Sequence, residues 1–318
     1  MEMEVIKIAS WEMNLLRNQK KVPKEVLKEI GDYLSVQWKP VMKKVMIEKQ
    51  ETTFSLKEFK APTICLRVDM APTPEGFFPE AIYEIDARPK GLGISITKGP
   101  TFTKESIREV FKRCRAAAVY VDTGIISDDY LLAEVLGIPF LNLNSAKLLK
   151  PSWIRVEEEQ YHQETETLRK IAESSLCPLL TANDKSPLVR LGLAEEIASI
   201  EEINFDEPFV LKPLIGAGCK NVEIWLPKEK SKQVFGKKKI PGVSTKTRIL
   251  KKFSLEKAWI KQPFIPPGST EDYFYIWRLY YGWQCDTGNY EFLGGFVNYR
   301  KNLRIHGASD ALFSFISF

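Results

Sequence analysis

The chain has 318 residues, 44% hydrophobic and 27% charged, with a formal net charge of +5. That length allows two or three hydrophobic cores. No run approaches the roughly 20 apolar residues a membrane span needs, and so mild and dispersed a positive charge argues against a nucleic-acid-binding surface. The cysteines, Cys65, Cys114, Cys177, Cys219 and Cys285, are scattered and never in C-x-x-C spacing. That argues against a disulfide framework or a zinc site and for a reducing, cytoplasmic compartment. The opening MEMEVIKIASWEM lacks the basic n-region of a secretory signal.

In chain order, residues 23–49 carry Val26, Leu27, Ile30, Tyr33 and Leu34 at helical spacing and predict a helix. Residues 62–69, PTICLRVD, predict a buried strand ending in charge, and 81–87, AIYEIDA, an alternating one. The turn-rich Pro72-Thr73-Pro74-Glu75-Gly76 between them predicts antiparallel neighbours. An amphipathic helix over 103–117 follows, with Thr103 as N-cap and Glu105 in its first turn. A strand at 117–121, a helix at 128–136 closed by Gly137 and a strand at 139–143 complete a β-α-β-α-β alternation. This predicts an α/β layer up to about residue 150. Beyond it we expect a charged helix over 157–174, a more apolar helix over 186–200, and an exposed hairpin or loop in the lysine-dense 228–252. The aromatic-rich C-terminal stretch reads as antiparallel strands and then a short helix after His306-Gly307.

Residues 208–225, PFVLKPLIGAGCKNVEIW, are the most informative stretch. Phe209-Val210-Leu211 runs into Lys212-Pro213, then a small-residue loop with Gly216 and Gly218, then a second β-rich run at 222–225. Glycines let backbone N–H groups form a concave nest for an anion, and a lysine on the adjoining strand can reach phosphate oxygens. An ordinary hairpin with a glycine turn explains the same pattern. Asp69, Glu84 and Asp86 are metal candidates. Glu84 and Asp86, two apart on a strand, face one side, and Asp69 ends the neighbouring strand. Carboxylates gathered in this way repel unless a cation sits among them. The alternative is a solvated strand face with ion pairs to Arg67 and Arg88. Arg67, two residues before Asp69, suits a transferring phosphoryl group or a structural role beside Glu84.

The order R-V-D (Arg67, Asp69), Y-E-I-D-A-R-P (Glu84, Asp86), N-D-K-S-P-L (Lys185), F-V-L-K-P-L-I-G-A-G (Lys212), I-K-Q-P-F-I (Gln262) and G-G-F-V-N-Y-R (Arg300) resembles the ATP-grasp superfamily. Within it, the chain resembles the circularly permuted branch that includes the glutathionylspermidine synthetase amide-ligase domain. The resemblance covers roughly residues 60–318. It implies an α/β (α+β) fold of ATP-grasp type, with an N-terminal α/β pre-ATP-grasp layer followed by antiparallel nucleotide-binding sheets. The regions expected are an N-terminal helical or extension region at 1–60, the α/β layer with the metal-site strands at 61–150, and the nucleotide-binding region at 151–318.

The resemblance implies that Lys185, Lys212, Gly216 and Gly218 contact the phosphates of ATP. It makes Lys261, Gln262, Phe264 and Ile265 part of the strand on which adenine lies, with Ile260 beneath the ring. Asp69, Glu84 and Asp86 would bind Mg²⁺, and Arg67 and Arg300 would stabilise the transferring phosphoryl group, with Arg278 and Arg304 as further arginines nearby. The implied activity is an ATP-dependent carboxylate–amine or carboxylate–thiol ligase that acts through an acyl-phosphate and releases ADP and phosphate. Its partners would be small-molecule or peptide carboxylates and amines. Position 86 is Asp where the branch carries Asn, and the 216–219 loop lacks the branch's charged residue. The altered loop leaves open a nucleotide-binding regulatory or scaffold protein without catalysis, while the intact carboxylate set and both lysines argue against it.

Overall fold

The computed structural model describes residues 14–15, 19–38, 64–86, 91–114, 116, 119–121, 127–142, 153–155, 185–214, 221–237, 239–253, 258–284, 286–305 and 310–318. The charged helix expected at 157–174, the residues His306 and Gly307 and the expected hairpin tip with Gly216 and Gly218 lie outside these residues. Two short strands, β1 (Asn14–Leu15) and β2 (Lys20–Lys21), precede helix α1 (Lys24–Tyr33), which runs on as a π-helical turn at Leu34–Trp38. Val26, Leu27 and Ile30 form the buried stripe of α1, at the spacing that lays one helix face on a core. Strands β3 (Cys65–Met70) and β4 (Ile82–Asp86) pair antiparallel, with Asp69 opposite Glu84 and Arg67 opposite Asp86.

Helices α2 (Leu92–Lys98), α3 (Thr101–Arg113) and α4 (Ser127–Leu136) follow. No sequence expectation corresponds to α2, because its cap is not local. Asp128, in the first turn of α4, accepts the Gly91 and Ile94 N–H groups at 2.8 and 3.0 Å. The two helices meet closely at Gly93, where a Cβ would lie 1.9 Å from the Asp128 carbonyl oxygen. Helix α3 starts ahead of the expected cap: Pro100 takes the N-cap position and Thr103 is buried within the first turn.

Strands β5 (Val119–Val121), β6 (Phe140–Asn142) and β7 (Trp153–Arg155) form a parallel sheet in the order β6-β5-β7. This corrects the single α/β layer expected up to residue 150, since β3 and β4 belong to a different sheet.

The second half holds α5 (Ser186–Arg190), β8 (Glu195–Ile197), β9 (Phe209–Pro213) and β10 (Glu223–Trp225). These are followed by α6 (Lys228–Phe235), α7 (Lys246–Phe253) and β11 (Trp259–Pro263). The chain then runs through β12 (Gly268–Ser269), β13 (Phe274–Gln284), β14 (Asn289–Arg300) and β15 (Leu312–Ser317). Three expectations are corrected here. The helix expected over 186–200 stops at Arg190, where Gly192 takes a left-handed φ of 70° and the chain turns into β8. The lysine-dense 228–252 contains two helices, because Ser231 and Ile249 are buried beneath the charges and Phe235 packs against a core. The C-terminal segment is a strand, paired antiparallel with β14.

Among the described residues the largest sheet has eight strands. Its main order is β1-β15-β14-β13-β3-β4, with β12 paired to β13 and β2 to β15. On one face α1 packs against Val68, Leu279, Tyr281 and Val297. On the other, α3 packs against β13 and β14, and the buried cluster there joins Tyr280, Leu293 and Phe296 to residues of α2, α3 and α4. A second, four-stranded antiparallel sheet runs β10-β9-β11-β8.

Candidate functional site

An open cleft with about 960 Å³ of empty space, its solvent-facing mouth included, lies between these two sheets. The large sheet contributes Asp69, Ile82, Glu84 and Ile276, and the small sheet contributes Val210, Lys212, Ile224 and Gln262. Directly opposed residues of paired strands share a face. The register therefore puts Asp69, Glu84 and Arg278 on one side of the large sheet, and Arg67, two residues from Asp69, joins them.

Polar bonds join the sheets at the back of the cleft. Lys212 Nζ donates to the Tyr83 carbonyl oxygen at 2.7 Å and to Gln262 Oε1 at 2.5 Å. Gln262 Nε2 donates to Leu193 O at 3.2 Å and to Ile82 O at 3.4 Å. The Tyr83 hydroxyl donates to Ile265 O at 3.1 Å, and burial pushes its pKa far up, so it stays a donor. Lys185, buried at the N-cap of α5, lines the same cleft, and its backbone N–H donates to Leu214 O at 2.9 Å. The side chains of Phe264, Ile265 and Leu303 add apolar walls.

The carboxylates expected to hold a metal are interleaved with arginines. Arg67 Nε donates to Asp69 Oδ1 at 3.0 Å, and its other nitrogens lie 3.1 Å from Asp86 Oδ2 and 3.6 Å from Glu84 Oε2. Arg278 grips Asp69 with two nitrogens, Nε to Oδ1 at 2.9 Å and Nη2 to Oδ2 at 2.7 Å. Burial alone pushes the Asp69 carboxyl up. The charges and hydrogen bonds of Arg278 and Arg67 outweigh it and hold the carboxyl below its ordinary 3.8. Burial likewise opposes the charge on Arg67, and Asp69, Asp86 and Glu84 outweigh it and raise its pKa. Both oxygens of Asp69 are therefore engaged by guanidinium groups. Among the described residues, no group of three or more His, Cys, Asp or Glu side chains is set to hold a metal ion. The set does not fit a Mg²⁺ ion held by protein ligands alone.

Other expected residues are placed elsewhere. Lys261 alternates away from Gln262, and its ammonium pairs with Glu195 on the neighbouring strand. Ile260 is buried in the core and does not line the cleft. Arg300 does not line it either: its Nε sits on both oxygens of Asp310 at 3.0 Å and its Nη1 donates to Arg304 O at 2.7 Å. Arg304, by contrast, lines the cleft. Its partner Glu223 was not expected, because a glutamate between Val222 and Ile224 reads as the solvent side of a strand, yet it is fully buried.

No family model matches the chain, and no curated protein does. Among solved structures the chain is similar to "Putative gamma-glutamylcysteine synthetase" from Methylobacillus flagellatus KT. The identity is 11% and the TM-score 0.43, over 92% of this chain and 87% of that one. A likeness that distant carries no functional weight. Among the described residues no helix is long and apolar enough to cross a membrane.

Proposed function

We propose that the cleft binds ATP and that the protein is an ATP-dependent ligase joining a carboxylate to an amine or a thiol. One observation carries the reading. Lys185, Lys212, Gln262, Phe264, Ile265 and Glu84, drawn from four separated stretches of sequence, line one cleft between two sheets. An apolar cleft with a few converging polar groups is the usual form of a small-molecule site. Here the apolar walls suit a purine, the backbone of the strand around Gln262 suits its edge, and the two lysines suit its phosphates.

In the proposed reaction a substrate carboxylate oxygen attacks the γ-phosphorus of ATP and ADP leaves, giving an acyl-phosphate. The amine or thiol then attacks the acyl carbon and expels inorganic phosphate. In such transfers the protein's part is positioning and charge neutralisation, and Lys185 and Lys212 supply both from this chain. With Asp69 held by arginines, a divalent ion would arrive with the nucleotide, since Mg²⁺ commonly keeps few protein ligands alongside substrate phosphates.

Lys212→Ala should weaken ATP binding by about 1.5–3 kcal/mol, the range for a charge-assisted hydrogen bond, as read by calorimetry. Unchanged affinity would remove Lys212 from the phosphate site. The engagement of Asp69 by Arg67 and Arg278 favours a second reading, a nucleotide-binding protein without turnover. Incubation with Mg·ATP and a pool of carboxylates and amines separates the two. ADP release that depends on one acid supports the ligase, and ATP binding without any ADP release supports the second reading.

A further inference from the structure

The mild net charge of the chain conceals a segregation. Residues 228–252 contain nine lysines, one arginine and one glutamate, a charge of +9 in a chain whose total is +5, so all other residues together carry −4. The positive charge is concentrated in one segment, which corrects the dispersal expected from the total.

The fold wraps this segment around the β10 edge of the small sheet. Val210 of β9 and Ile224 of β10, directly opposed, line the cleft, while Phe209 and Leu211 alternate to the other face. Phe235, at the end of α6, packs on the cleft side, its ring centroid 6.3 Å from that of Phe264 in the cleft wall. Ile249 of α7 packs on the far side with Phe209 and Leu211. Between the two helices Val243 forms a parallel bridge to Ile224, so the chain passes along the outer edge of β10. The result is a basic belt around that edge. Lys228, Lys230, Lys232, Lys237 and Lys239 are exposed on it, and among the described residues none of the five makes an ion pair. Arg248 and Lys252 are held inward instead. Arg248 Nε donates to both oxygens of the buried Glu223 at 2.9 and 3.0 Å, and Lys252 Nζ donates to Asn221 Oδ1 at 2.8 Å.

Shape and chemistry select the partner of this belt. It bends from one face of a sheet to the other, so it does not match a flat lipid surface. It gives nucleic-acid bases no platform to stack on: Phe235 packs edge-on with Phe264 and Phe274, and Phe253 stacks on Trp259. Lysine ammonium groups are point charges on flexible stems, suited to carboxylates spaced irregularly along a flexible chain. We infer that the belt docks an acidic peptide and that this peptide supplies the substrate carboxylate to the neighbouring cleft. The inference rests on the ligase reading and deepens it, by giving the carboxylate substrate a class.

Fluorescence anisotropy of the full chain with a labelled oligoglutamate tests this, beside an oligoglutamine, an oligothymidylate of equal charge and phosphatidylserine vesicles. The oligoglutamate should bind, more weakly as salt rises, and the oligoglutamine should not. A chain carrying Lys230→Glu, Lys232→Glu and Lys237→Glu together should lose about tenfold or more in oligoglutamate affinity, since three exposed attractions become repulsions, and should keep its ATP affinity. With Mg·ATP and a pool of amines, oligoglutamate should raise ADP release, and the triple variant should raise the peptide KM with kcat retained. An oligoglutamate that does not bind, or that binds the triple variant equally well, would overturn the inference and leave the nucleotide reading standing. Tighter binding of the oligothymidylate or of the vesicles would overturn it in favour of nucleic acid or an anionic membrane. ADP release on some other acid, with none on the peptide, would overturn the substrate role and keep the ligase reading. ADP release on no acid at all would overturn the ligase reading, while salt-sensitive peptide binding lost in the triple variant would still support the docking surface.

Discussion

Two arginine–carboxylate clusters flank the same cleft with opposite excess. On β13, β3 and β4, at one end of the large sheet, Arg67 and Arg278 face Asp69, Glu84 and Asp86, so the named groups are carboxylate-rich. At the edge of the small sheet, Arg248 and Arg304 both pair with Glu223, so the named groups are arginine-rich. The large-sheet groups come from three neighbouring strands and are largely shut from water. The edge arginines keep some access, with side-chain exposure of 50% for Arg248 and 19% for Arg304. The same chemistry therefore serves two ends. The buried cluster fixes a sheet through charges that cannot rehydrate, and the edge cluster keeps its guanidinium groups within reach of water.

The largest effect should come from breaking the large-sheet cluster. Asp69→Ala leaves two mostly buried guanidinium groups without their shared carboxylate, and should cost about 3–5 kcal/mol of stability in chemical denaturation. A loss under about 1 kcal/mol would mean that the cluster rehydrates as easily as a surface pair. The pH dependence follows from sign. The Asp69 carboxyl is held below its ordinary 3.8, so its stabilising contribution is complete above that value and is lost as pH falls through the lower folded value. The stability gap between wild type and Asp69→Asn should be wide at neutral pH and should narrow only on strong acidification. A gap that closes already near pH 6 would contradict the depressed pKa.

Glu223→Ala should cost less, about 1–3 kcal/mol, because Arg248 and Arg304 can turn to water. A cost equal to that of Asp69→Ala would erase the distinction between the two clusters. The smallest effect is expected at Lys261. Its pair with the exposed Glu195 is a surface ion pair, and Lys261→Ala should change stability by less than about 1 kcal/mol while leaving ATP affinity intact. A clear loss of ATP affinity would return Lys261 to the cleft wall.

Much of the large-sheet end of the site was legible because two-residue periodicity is local. Arg67 with Asp69 and Glu84 with Asp86 had to share faces once β3 and β4 were strands, and the Pro72–Gly76 turn made those strands neighbours. The hairpin of β9 and β10 was legible for the same reason. The edge cluster was not. The local pattern assigns Glu223 to solvent, and only the return of Ser244, Arg248 and Arg304 from later in the chain allows it to be buried. The helices in 228–253 were obscured by lysines whose charge outweighed a few buried apolar positions, such as Ile249 in α7. The break after Arg190 turned on the backbone of one residue, Gly192, whose φ of 70° ends α5.

The cap on α2 has a kinetic meaning as well as a structural one. The residue that completes the first turn of this helix lies 34–37 positions further along the chain, so α2 cannot finish its own start. Until α4 forms and docks against Gly93, the Gly91 and Ile94 amides lack the acceptor that the native state gives them. Contacts of such separation form only after the intervening chain has closed its loop. Segments 91–98 and 127–136 should therefore gain hydrogen-exchange protection together during refolding, as one cooperative unit. If α2 is protected well before α4, its start is supported by something other than Asp128.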